Sequence, residues 1–130
     1  MSIELRYLAF TALLTSALWI PYIVAQVRTN GFLSGENYVD PTPRPVPLLG
    51  QRANRAHLNA VETFAPFAAL VLVAHVAGKE NGMTAFWAIS FFWLRLIHAV
   101  VYWAAIPFIR TIVFTLGFVC VCGLFVAVVM

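Results

Sequence analysis

The chain has 130 residues, of which 62% are hydrophobic and 10% are charged, and its mean hydropathy is +0.89. These values exclude an ordinary soluble domain and indicate an integral membrane protein. The net charge of +3 is small and its basic residues are scattered, so we expect no nucleic-acid partner, because such a partner requires a clustered basic face.

The first predicted span covers residues 5–27. Tyr7 to Val27 holds 21 residues without a charge, and a helix of that length crosses a hydrocarbon core of about 30 Å at about 1.5 Å per residue. The apolar run is too long for a signal peptide, so we interpret it as a retained span.

A polar loop, residues 28–52, follows the first span and has a proline-rich centre at residues 41–47. Alternating prolines favour an extended, stiff segment. This segment could serve as a docking ligand for another protein, but a structural loop packed over the helices is the favoured interpretation.

Three further spans are predicted at residues 53–78, 82–106 and 109–130. A polar turn separates the first two of these, and Pro107 marks the break before the last. The whole chain, residues 1–130, therefore forms a single domain, an all-α antiparallel four-helix membrane bundle.

The two cysteines, Cys120 and Cys122, lie two apart in the last span. On a helix they point in different directions and cannot bridge each other, and no further ligands lie nearby. We expect neither a disulfide nor a metal site from them.

Basic residues also predict the orientation. The first and third connections carry five arginines, whereas the opposite side carries only Arg6 and Lys79. The positive-inside rule therefore places the long loop in the cytoplasm and both termini on the non-cytoplasmic side. The bacterial inner membrane is the favoured location.

The second span begins with a polar stripe. Arg55, Asn59 and Glu62 are spaced i, i+4, i+7 and share one helix face, with Arg52 beside them. Charged groups at membrane depth are costly and usually serve a function. A small zwitterionic ligand fits this stripe, because its carboxylates would pair with arginine and its ammonium with Glu62.

A second polar stripe lies on the third span. Arg95, His98 and Tyr102 are spaced i, i+3, i+7, and Arg110 follows Pro107. Because lipid would penalise both stripes, they should face each other or a partner subunit. Arg95 is interpreted as structural, pairing either with Glu62 or with backbone carbonyls.

These residues resemble a known family. The pattern Arg52-x-x-Arg55-Ala-His-Leu-Asn59-x-x-Glu62, with Pro66-Phe67 after it, is similar to the second-helix signature of the membrane-associated proteins in eicosanoid and glutathione metabolism (MAPEG), closest to the microsomal glutathione transferase branch. The pattern Arg95-x-x-His98-x-x-x-Tyr102 is similar to the third-helix signature. The resemblance covers the whole chain in length and in the order of its spans.

The resemblance implies a homotrimer in the membrane lipid that binds glutathione, as co-substrate, between subunits near the cytoplasmic surface. The activity it implies is conjugation of glutathione to a small lipophilic electrophile, with reduction of lipid hydroperoxides as a further activity left open. Arg110 would face the sulfur as the catalytic residue. The residues implied as glutathione-binding are Arg28, from an adjacent subunit, and Arg52, Arg55, His57, Asn59, Glu62, His98 and Tyr102.

Two departures and two alternatives accompany this interpretation. Thr63 stands where relatives have Tyr or Asn, and His98 stands where the leukotriene-synthesising branch has Tyr; these departures argue against leukotriene synthesis. His57 points away from the Arg55 stripe, so it would serve a neighbouring subunit's site or only pack in the interface.

The alternative function is a non-catalytic relative, either lipid-binding or an accessory subunit of a larger complex. A transporter of cations ranks last, because the first span has no carboxylate between Tyr7 and Val27.

Overall fold

The computed structural model of the protein describes residues 1–32, 34–35, 39–40 and 42–130; the proline-rich segment is therefore described except for its first residue, Pro41. This part of the chain contains helices and no strands. Its principal helices are α1 (Ile3–Ala17), α2 (Ile20–Asn30), α3 (Leu48–Val76), α4 (Gly82–Trp103) and α5 (Ile109–Val129).

Among the described residues, four helical units are long and apolar enough to cross a membrane: α1 and α2 taken together, α3, α4 and α5. The predicted all-α four-helix architecture is confirmed. The protein is an integral, multi-pass membrane protein.

The first span is broken at Leu18 and Trp19, between α1 and α2. Pro21 lies at the start of α2, where its missing N–H and fixed φ are tolerated best. The second span was predicted to start at residue 53. The structure starts it earlier, because α3 already begins at Leu48, directly after Pro47. Pro66 lies inside α3 and leaves the carbonyl of Glu62 without its helical N–H partner.

The centre of the bundle is α4, which packs against α1, α3 and α5, while α2 packs on α3. In the main core the rings of Phe67 and Phe91 stack with centroids 4.0 Å apart, beside Val71 and Leu124. Buried alanines on α3 and α4, at positions 53, 56, 60, 88 and 99, let the helices approach closely. Large side chains such as Leu13 and Phe118 point outward, as a lipid-facing surface requires.

At the end of the bundle that carries both termini, polar contacts join three helices. Asn81 and Thr84 form a capping box at the start of α4. The Thr84 hydroxyl also donates to the buried carboxylate of Glu4 over 2.5 Å. Glu80 accepts a 2.5 Å hydrogen bond from the Ser2 hydroxyl, and this bond lowers the pKa of Glu80 below its usual value.

His75, near the end of α3, is exposed. Its Nδ1 atom lies 3.2 Å from Oε1 of Glu80. Within the described part of the chain, this is the one close contact between a basic and an acidic side chain, and it is an ion pair only when His75 is protonated.

Arg95 is buried in the centre of α4, with 3% of its surface exposed. Its Nη2 atom donates to the carbonyls of Val113 (3.5 Å) and Phe114 (3.4 Å), and Nη1 donates to the Thr63 hydroxyl (3.3 Å). Arg95 was predicted to pair either with Glu62 or with backbone carbonyls. The structure shows that it bonds to the carbonyls and not to Glu62. Gly117 provides the space, because a Cβ there would lie 2.1 Å from Nη2.

Candidate functional site

A cleft of about 470 Å³ lies at the end of the bundle opposite the termini. Arg52 and Arg55 reach it from the first turns of α3, Tyr102 from the end of α4 and Arg110 from the start of α5. Arg52 and Arg55 of the first polar stripe therefore meet Tyr102 of the second stripe and Arg110 in one place within a single chain.

A strained turn sets the distance between Tyr102 and Arg110. Helix α4 ends in a Schellman motif, in which the N–H of Ala105 bonds to the carbonyl of Tyr102 and the N–H of Ile106 to that of Val101. Ala105 has φ 57° and Phe108 has φ 61°, so two residues other than glycine occupy the left-handed region here. Such residues cost of order 1–3 kcal/mol each and cluster at functional sites.

The turn places the two side chains in direct contact. Cζ of Arg110 lies 4.7 Å from the centroid of the Tyr102 ring, a cation–π geometry. The Arg110 side chain is exposed and Tyr102 is half-buried. The guanidinium is therefore held at the mouth of the cleft with its donors available to a ligand.

A second cavity of about 260 Å³ adjoins the cleft and shares Tyr102 and Arg110 with it. It extends toward the bundle along Asn59 and His98. His98 is buried, and its ring meets Tyr102 edge to face at 5.6 Å. Arg110 and Tyr102 therefore stand at the junction between a cationic outer cleft and a less charged inner cavity.

The outer cleft is cationic. Four arginines line it, at positions 44, 52, 55 and 110, and none of the described residues that line it is acidic. Guanidinium groups pair with carboxylates in a planar, bidentate geometry. This arrangement suits a ligand with more than one anionic group.

Three predicted ligand residues line neither the cleft nor the adjoining cavity. Arg28 lines a separate cavity of about 390 Å³ with Trp103 and Ala53. His57 is half-buried, and its Nδ1 atom is buried without a hydrogen-bond partner. Glu62 is exposed and does not line the cleft.

The sequence reasoning missed Arg44 and Tyr22 as residues of the cleft. Arg44 lies in the proline-rich segment. Directly before this segment, the Asp40 carboxylate accepts a 2.9 Å hydrogen bond from the Thr42 N–H. Hydrogen bonds from Thr42 lower the pKa of Asp40, and the charge of Arg44 acts in the same direction. The prolines indicated a stiff segment, but no local signal showed where it packs.

Among the described residues, no group of three or more histidine, cysteine or acidic side chains is placed to hold a metal ion.

Comparison with known families gives one match. The model of the MAPEG family aligns with residues 5–130, nearly the whole chain. The chain belongs to the MAPEG family. The match spans all four membrane helices and both polar stripes of this MAPEG protein. A search among curated proteins finds no matching relative.

Proposed function

We propose that this MAPEG protein is a membrane-bound glutathione transferase, which conjugates the thiolate of glutathione to lipophilic electrophiles. The observation that carries the proposal is the cleft in which Arg52, Arg55 and Arg110 converge beside Tyr102. Glutathione carries two carboxylates and a thiol that ionises, and this set of anionic groups matches the charge of the cleft.

The chemistry requires a thiolate, because the thiol itself is a poor nucleophile. An unperturbed thiol has a pKa of about 8.5. Lowering that pKa by about 2 units requires roughly 2.7 kcal/mol of preferential stabilisation of the anion. A guanidinium next to the sulfur supplies stabilisation of this kind, and Arg110 is the candidate because it stands where the outer cleft meets the inner cavity.

In the proposed reaction the thiol proton leaves to water, and the sulfur lone pair forms the S–C bond to the electrophile. The bond from that carbon to its leaving group breaks, and the leaving group departs with the electron pair. The protein contributes position and charge and no nucleophile of its own. The electrophile reaches the sulfur from the apolar phase, since the inner cavity is lined partly by Phe114 on α5.

A homotrimer would complete the site. Arg28 and His57 lie away from the cleft of their own subunit, so they can contact the same ligand only across a subunit interface. The unpartnered Nδ1 atom of His57 is consistent with a partner from a neighbouring subunit. On the positive-inside rule the cleft would open to the cytoplasm.

Steady-state turnover with glutathione and a chromogenic apolar electrophile tests the proposal in purified, membrane-reconstituted protein. We expect Arg55→Ala to raise the KM for glutathione by about tenfold or more, because it removes binding. Arg110→Ala should lower kcat by about 25-fold at pH 7, in proportion to the thiolate lost when the thiol pKa rises by about 2 units. Arg6→Ala, at the far end of the bundle, is the matched control and should retain full activity.

The same assay separates the transferase from the non-catalytic alternative. A wild-type protein that binds glutathione but gives no turnover with any electrophile would favour a binding or accessory role. Loss of activity in the Arg6→Ala control equal to that of Arg55→Ala would overturn the site assignment.

A further inference from the structure

We propose that Arg44 is a further ligand-binding residue, and that residues 42–47, here called the strap, form a fixed wall of the cleft. This inference rests on the proposed function and deepens it, because it assigns Arg44 to the carboxylate of the glycine end of glutathione. Arg44 is half-buried, and it lines the same cleft as Arg52 and Arg55.

The strap is fastened to two helices. The Asn30 side chain, on α2, donates from Nδ2 to the carbonyl of Pro45 over 3.2 Å. The Gln51 side chain, on α3, donates from Nε2 to the carbonyl of Val46 over 3.0 Å. Three of the six strap residues are prolines without an N–H, so the strap offers more carbonyl acceptors than N–H donors to the helices beside it.

Close packing supports these hydrogen bonds. Gly50 is buried on α3, and a Cβ at this position would lie 2.9 Å from Cβ of Ala25 and 3.3 Å from Cβ of Val46. The absence of a side chain at Gly50 therefore lets α2, α3 and the strap meet. A segment held on both sides in this way presents Arg44 at a defined place, which lowers the entropy lost when a ligand binds.

Arg44 is available to a ligand. Its charge acts on Asp40, but among the described residues no ion pair within 4.0 Å joins the two. Arg44 also lines an adjoining cavity of about 390 Å³, which shares Tyr22 and Pro43 with the cleft and is lined by Asp40 as well. No acidic side chain of the described part of the cleft competes for its guanidinium.

The position of Arg44 determines which of the two carboxylates of glutathione it would bind. Arg110 borders the inner cavity and Arg44 does not, so Arg44 lies at the end of the cleft away from the proposed sulfur position. Glu62, which the sequence analysis assigns to the ammonium, lies outside the cleft and follows Arg55 by two helical turns, on the side away from the strap. The γ-glutamyl end would point toward Glu62, which leaves the glycine carboxylate for Arg44.

Calorimetric titration with two ligands tests the assignment. Glutathione and its glycine monoethyl ester differ only in the carboxylate that Arg44 is proposed to bind. We expect wild type to bind glutathione about tenfold more tightly than the ester. Arg44→Gln should lose that tenfold and bind both ligands equally. Arg6→Gln is the control and should behave as wild type.

The outcomes separate this inference from the proposed function. If wild type binds glutathione but Arg44→Gln binds it equally well, or weakens glutathione and ester alike, the assignment of Arg44 is wrong and the transferase proposal stands. If wild type binds neither ligand, both proposals fail.

A second measurement tests the fixed strap without any ligand. A nitroxide on Arg44→Cys, in a Cys120→Ala/Cys122→Ala background, should give the spectrum of an immobilised label. Adding Asn30→Ala and Gln51→Ala should make the label mobile, because both carbonyl bonds are lost. A freely rotating label in the protein with Asn30 and Gln51 intact would refute the fixed wall.

Discussion

Replacing Gly117 with alanine should destabilise the bundle through Arg95, although neither residue belongs to the cleft. The new Cβ would lie 2.1 Å from Nη2 and 2.9 Å from Cζ of Arg95, so the guanidinium has to move. Arg95 is 3% exposed and has no route to water. Movement therefore breaks its hydrogen bonds to the carbonyls of Val113 and Phe114 without replacing them.

The structure gives a magnitude for this effect. Hydrogen bonds from charged donors contribute about 1.5–3 kcal/mol each, and the two bonds are long, at 3.5 and 3.4 Å, so the lower value applies. Against a loss of about 3 kcal/mol, alanine gains about 1 kcal/mol over glycine in helix propensity. The net loss of about 2 kcal/mol corresponds to roughly a thirtyfold shift of the unfolding equilibrium.

Reversible unfolding in mixed detergent micelles measures this difference. Gly82→Ala is the matched control, because a Cβ there meets nothing within 4 Å and the same residue types are exchanged. We expect Gly82→Ala to unfold as wild type does and Gly117→Ala to unfold at a distinctly lower denaturant fraction. Equal stability of Gly117→Ala and wild type would show that Arg95 does not depend on the space beside Gly117.

Three further predictions concern the two ends of the bundle. Thr84→Val should destabilise by about 2 kcal/mol, because it leaves the buried Glu4 carboxylate without its donor; Thr84→Ser should restore most of the loss in the same unfolding assay. The Ser2 hydrogen bond lowers the pKa of Glu80. The ionised Glu80 carboxylate therefore stabilises the fold above the ordinary carboxyl pKa, and this stabilisation is lost as the pH falls through the lower pKa that Glu80 has in the folded protein. The melting temperature of Glu80→Gln should accordingly fall less between pH 6 and pH 3 than that of wild type, and an identical fall in both proteins would refute this role. Ala105→Gly should raise stability by about 1 kcal/mol, because glycine removes the cost of φ 57° at the end of α4.

The helices and the two polar stripes could be predicted from sequence because both depend on local periodicity. Arg55 and Asn59 share a face through the 3.6-residue repeat alone, and uncharged runs of about 20 residues define spans by length. The family pattern rests on the same residues. The structure adds that Tyr102 and Arg110 reach the cleft of Arg55 within one subunit.

The remaining features depend on tertiary contacts that leave no local signal. Gly117 lies in an apolar run and nothing near it in sequence indicates that it makes room for Arg95, 22 positions earlier. Pro107 marked the end of a helix, but the positive φ values at Ala105 and Phe108 could not be anticipated for residues other than glycine. The place where the strap packs depends in the same way on side chains from two helices.

The pKa of the glutathione thiol in its complex with the protein tests the central claim most directly. It is measured by ultraviolet difference absorbance of the thiolate across a pH series at saturating glutathione. For wild type we expect a value of about 6.5, which is about 2 units below the ordinary thiol value. Arg110→Ala should still bind glutathione but return the thiol pKa to about 8.5. A bound thiol in wild type that titrates as it does in free solution, or the same low pKa in Arg110→Ala, would contradict the account.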